Sequence, residues 1–136
     1  MISRKPTWHA DLTAYLAQAA RVPFAEGVSD CALFAAGAVE AMTGVDLAAR
    51  WRGRYRTTRG GLRVLRKAGY ADHLALVAEH FAEIAPALAR AGDLAAVETP
   101  DGLALALVQG EHIYVRGPAG IALVPLTSAA RAFRVV

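Results

Sequence analysis

At 136 residues the chain has the length of a single domain with one hydrophobic core, and one domain spanning 1–136 is the expectation. Its 55% hydrophobic content includes 31 alanines and 31 Val, Ile or Leu residues beside a few aromatics, a composition suited to helices packed closely on a small sheet, and no apolar run exceeds six residues, as at Leu103 to Val108, against the ~20 that span a bilayer. The net charge of +3 is modest but unevenly placed, and the single cysteine rules out an internal disulfide and any multi-thiolate zinc site.

Near the start, Arg4 and Lys5 are followed by Pro6, Thr7, Trp8 and His9 rather than by an apolar stretch, so no secretory signal is expected and synthesis in the cytoplasm follows. Leu12, Tyr15, Leu16 and Ala19 recur at helical spacing after Asp11 and predict a first helix ending before Pro23. A short loop then delivers Ser29 and Asp30, either able to cap a second helix from Cys31 to about Met42, stopped by Gly44. Next comes a basic connection. Arg50, Arg52, Arg54, Arg56, Arg59, Arg63, Arg66 and Lys67 fall within eighteen positions, with no acid between Asp46 and Asp72. Leu62 to Ala68 predicts a third helix and Ala71 to Ile84 a fourth, with Gly60-Gly61 read as a turn.

From Gly92 the pattern becomes short β-type runs at Asp93 to Glu98, Leu103 to Val108, Glu111 to Arg116 and Ile121 to Val124, separated by turn residues. An antiparallel meander is expected, with a turn or single helical turn at Thr127 to Arg131 and an edge strand at Ala132 to Val136. Alternation of Leu103, Leu105 and Leu107 with Ala104 and Ala106 predicts a strand buried on both faces. The class is therefore α+β, with a helical half (1–91) carrying Cys31 and a sheet half (92–136).

Cys31 is the candidate nucleophile. In the first turn of a helix a thiol feels the positive end of the dipole, which is expected to lower its pKa; the alternative is a small buried hydrophobe beside Leu33 and Phe34. The four histidines, at 9, 73, 80 and 112, show no metal-ligand spacing, and no phosphate-loop or dinucleotide pattern is present, so neither metal nor cofactor is expected.

Phe24, Gly27, the phrase Asp30-Cys31-Ala32-Leu33-Phe34, and Gly92-Asp93-Leu94 opening the meander resemble the papain-like cysteine peptidases of the NlpC type, which cleave cell-wall peptides. The chain also resembles a branch of that superfamily carried among phage and prophage tail genes, in which Thr43-Gly44-Val45-Asp46 and Arg52-Gly53-Arg54-Tyr55 have counterparts. The resemblance implies a papain-like fold with N-terminal helices on a C-terminal sheet, Cys31 in the nucleophile position and Asp30 before it as helix cap. The base does not carry over: Leu103 occupies its place, and the third polar residue would fall near the apolar Val115. If Leu103, Leu105, Ile113 and Val115 face the cysteine's helix, His112 points away from it, so His112 as base requires a bulge or a register slip. His73 and His80 share a face of the fourth helix and read as its wet edge, although either could approach Cys31 from there.

Without an imidazole, a cysteine site forgoes general acid–base catalysis worth ~10² to 10⁴-fold per group. The expectation is a catalytically degenerate phage-tail component, at the tail tip or in tail assembly, located in the virion and acting through contacts with other tail proteins; the alternative is a cysteine peptidase or amidase acting on cell-wall peptide. Arg50, Arg52, Arg54, Arg56 and Arg59, with Trp51 and Tyr55 between them, form the expected contact surface for an acidic neighbouring protein, in preference to nucleic acid.

Overall fold

In the computed structural model, which describes residues 2–136, the first four elements are helices, as the pattern of apolar positions predicts. Helix α1 (Trp8–Ala19) buries Leu12 and lays Tyr15 over Phe34 of α2 (Cys31–Thr43), the rings stacked 5.9 Å apart and the Tyr15 hydroxyl donating to the Phe34 carbonyl at 2.8 Å. The Asp30 carboxylate accepts from the Leu33 amide at 2.9 Å to start α2, and Gly44 ends it.

Helix α3 (Thr58–Lys67) begins four residues before the expected Leu62, because the Thr57 hydroxyl accepts from the Gly60 amide and opens the helix there. Gly60-Gly61 thus lies inside a helix rather than in a turn. Helix α4 (His73–His80), capped by Asp72 through the Ala75 amide, is shorter than the expected Ala71 to Ile84: the backbone turns extended at Phe81, and Glu83–Ile84 becomes strand β1. The helical half therefore contributes a strand to the sheet.

The remaining strands are β2 (Leu94–Thr99), β3 (Gly102–Val108), β4 (His112–Gly117), β5 (Gly120–Pro125) and β6 (Ala129–Phe133), with a short 3-10 turn at Leu126–Ser128; β6 thus begins three residues before the expected Ala132 and takes in Ala129 to Arg131, which were expected in the turn. They form one antiparallel sheet in the order β1-β6-β2-β3-β4-β5. The meander β2 to β5 is as expected, but the last strand is not an edge. It sits between β1 and β2, because the chain returns past the meander to complete the sheet.

Strand β3 is buried on both faces, as its alternation requires. Leu105 and Leu107 join Phe34, Val39, Met42, Leu94 and Phe133 beneath the helices, while Ala104, Ala106 and Val108 pack with Ala95, Val97, Ile113 and Ala132 on the reverse face. Each large side chain so buried contributes ~1.5–3 kcal/mol.

A fully buried carboxylate ties the two chain ends to the sheet. Asp93 accepts from Arg4 Nη2 (3.1 Å), Arg134 Nε (3.2 Å) and the amides of Arg90 (2.9 Å) and Val135 (3.1 Å). Gly92 precedes it at φ +91°, where a Cβ would strike the Arg4 guanidinium and the Met42 sulfur. The Gly92-Asp93 phrase thus has a structural cause: the turn into β2 is where one carboxylate is shared by two arginines. A buried arginine, Arg116 on β4, donates to the carbonyls of Ala19, the last residue of α1, and of Val22 just beyond it, placing positive charge at that helix's C-terminal end.

Candidate functional site

Cys31 stands at the first position of α2, against the half of β3 that β4 does not cover. Strand pairing between β3 and β4 is confined to Leu107 with Tyr114 and Val108 with Ile113. Beyond it the backbone of β3 meets helical side chains instead: the Leu105 amide lies by the Cys31 thiol, and the Leu103 carbonyl accepts from His73 Nε2 at 3.2 Å. A cavity of about 420 Å³ opens here, walled by α2, α3, α4 and β3. Cys31, His73, Tyr55, Asp30 and Asp72 supply much of its polar lining, and Leu, Val, Ala, Phe24 and Trp51 most of the rest.

The thiol is not primed as its helical position predicts. Burial, then the neighbouring Asp30 carboxylate, push the Cys31 pKa up to about 11; the Ala32 amide opposes the shift, Glu26 adds to it less strongly, and the Leu105 amide opposes it least. The helix terminus is outweighed because a thiolate would lose its water and face two carboxylates, both penalising the charged form. Cys31 is therefore a neutral thiol near pH 7.

Asp30 is spent on structure. Besides the Leu33 amide, its carboxylate accepts from the Gly27 amide at 2.9 Å and from the Tyr55 hydroxyl at 2.5 Å. Tyr55 is locked in turn: a Cβ at Gly27, which has φ +79°, would collide with the Tyr55 carbonyl, and one at Gly61 would press on the ring. The loop before α2, the cysteine's helix and the start of α3 are thereby pinned to one carboxylate.

Of the imidazoles, only His73 lines this cavity. It comes from the first turn of α4, and its ring is half-buried beside Leu103. A carbonyl only accepts, so Nε2 carries the proton and Nδ1 keeps the lone pair. Burial lowers the His73 pKa, against the raising influence of Asp72, the Leu103 carbonyl and Asp30. No hydrogen bond joins His73, or any other imidazole, to Cys31 among the described residues. His73 and His80 share a helix but not an environment, His80 being exposed beside Glu79.

His112 lies outside the cavity, exposed at the start of β4. The expected facing of β4 is also reversed. Tyr114 pairs with Leu107 and packs on the helix side, whereas Ile113 and Val115 belong to the reverse-face cluster. The parity cannot be read from β4 alone, because it is set by register against β3.

The basic segment divides into two groups. Trp51, Arg52 and Tyr55 are committed inward: Trp51 is buried edge-on to Tyr70, Arg52 holds Asp46 through two contacts of 2.7 and 3.1 Å, and Tyr55 holds Asp30. Arg50, Arg54, Arg56 and Arg59 are exposed, as are Arg63, Arg66 and Lys67. Among the described residues, none of these seven forms a salt bridge. Arg50 stacks on Trp51, its guanidinium 4.4 Å from the ring centre. Sequence reasoning gave His73 no specific place in the site and missed the Tyr55 clasp; the Asp72-His73 pair at a helix start was the available signal for the first.

Among the described residues no group of His, Cys, Asp and Glu side chains is arranged to hold a metal ion, and no helix is long and apolar enough to cross a membrane. No curated protein matches the chain. Residues 3–135 match the family described as a domain of unknown function, DUF6950, and since that match takes in nearly the whole sequence, the chain belongs to the DUF6950 family.

Proposed function

We propose that this protein is a phage or prophage tail component, acting at the tail tip or in tail assembly, that keeps the frame of an NlpC-type, papain-like peptidase and uses it to bind a neighbouring protein rather than to cut one. The observation that carries this reading is the state of Cys31: a thiol raised to about 11, flanked by carboxylates, with no imidazole hydrogen-bonded to its sulfur. A nucleophile of that kind lacks both the thiolate population and the proton acceptor that acyl transfer needs. The cavity beside it and the unpaired arginines along α3 supply binding surface in place of chemistry.

The alternative, a cysteine peptidase or amidase acting on cell-wall peptide, is favoured by one observation: His73 enters the same cavity from α4 and brings an unprotonated Nδ1 to the neighbourhood that Leu103 leaves without a base. Purified protein incubated with cell-wall peptides, followed by mass spectrometry, separates the two. No cleavage is expected. Turnover abolished by both Cys31→Ser and His73→Ala would establish the hydrolase and overturn the binding reading. Proteomic detection of the chain in purified particles or in tail-assembly intermediates tests its place in the tail.

A further inference from the structure

We infer that the cavity beside Cys31 takes an apolar side chain anchored on an acidic segment of a partner protein, the acidic part lying across the outer face of α3. The inference deepens the binding role proposed above and rests on it. Helix α3 is the wall common to two surfaces. Thr58, Leu62 and Leu65, at i, i+4 and i+7, line the cavity, while Arg59, Arg63 and Arg66 on its other side are exposed and unpaired. An occupant reaching out of the cavity over α3 passes from an aliphatic interior onto a row of guanidinium groups within one helix width.

The charge is also one-sided. No acid occurs between Asp46 and Asp72, so nothing in that stretch neutralises the α3 face from within. Of the acids around the cavity, Asp30 and Asp72 are helix caps, Asp101 stands exposed on the β2–β3 turn, and Glu26 alone meets α3, at its first residue, where it accepts from the Thr58 hydroxyl at 3.0 Å. An acidic occupant is therefore favoured along Arg59, Arg63 and Arg66, toward the C-terminal end of α3 and away from Glu26. A cavity of about 420 Å³ holds one large aliphatic or aromatic side chain with part of its backbone. Planar guanidinium groups suit carboxylates, which they meet with two parallel hydrogen bonds.

The probe is a fluorescein-labelled peptide of one phenylalanine followed by four glutamates, read by anisotropy with the full chain. Binding is expected to weaken at least tenfold when serine replaces the phenylalanine, at least tenfold on the paired substitutions Arg59→Glu and Arg63→Glu, and progressively with added salt. Saturating peptide is also expected to slow alkylation of Cys31 severalfold, since the thiol lines the occupied cavity. Ala36→Phe, which narrows the cavity from α2, is expected to remove anchor dependence; if that variant does not fold, the surface pair and Cys31 protection still decide the matter. Equal binding of the serine peptide, or tighter binding of a short DNA duplex through the same arginines, overturns the inference. Cleavage of the probe that is lost in Cys31→Ser overturns instead the non-catalytic reading on which it rests.

Discussion

Alkylation of Cys31 with iodoacetamide across pH tests directly how the site is set. An ordinary thiol of pKa ~8.5 is about 9% thiolate at pH 7.5, whereas one raised to about 11 is about 0.03% ionised, a roughly 300-fold smaller reactive population. A more basic sulfur is intrinsically more nucleophilic, and with a Brønsted slope of ~0.45 it recovers about 13-fold. The native protein is therefore expected to react about 20-fold more slowly than the unfolded chain at pH 7.5, with the rate still climbing through pH 10. Glu26→Gln removes one of the carboxylates that raise the pKa and should shift the inflection downward. The same displacement appears in stability. With the folded pKa above the unfolded one, the contribution of the neutral thiol is fully present below pH ~8.5 and is lost as pH rises toward 11, ~3 kcal/mol in all; Cys31→Ala should flatten that part of the curve, leaving the loss due to Tyr15, Tyr55 and Tyr70, whose hydroxyls are all raised, Tyr15 to about 12. An inflection below pH 8 in the folded protein would refute the reasoning, because it would mean that the helix terminus outweighs burial and the two carboxylates.

Asp93→Ala removes a fully buried carboxylate from the partly buried Arg4 and Arg134 and from the amides of Arg90 and Val135, and urea unfolding is expected to show a loss of ~2–4 kcal/mol. Tyr55→Phe keeps the ring against Gly61 but removes the hydroxyl from Asp30, a charge-assisted bond worth ~1.5–3 kcal/mol by the same measurement. Burial depresses the His73 pKa, so its neutral ring adds stability that is present above pH ~6.5 and lost as pH falls through the folded value; an NMR titration of His73 should give a midpoint below ~6.5. His112→Ala, at an exposed strand end, is expected to change neither stability by more than ~0.5 kcal/mol nor the alkylation rate of Cys31.

The sequence alone sufficed for features with local causes. Asp30 and Gly44 delimit the cysteine's helix because capping is decided within a few residues, and the Leu/Ala alternation of β3 announced a doubly buried strand because side chains there alternate by covalent geometry. Tertiary structure decided what depends on distant partners: the interior place of β6, the reversed facing of β4 set by Leu107 and Val108, and the entry of His73 rather than His112 into the cavity. It also decided the charge state of Cys31. A helix terminus is visible in one dimension, but the loss of water and the approach of Asp30 and Glu26 arise only when the chain is folded around the sulfur, and these oppose the terminus and prevail.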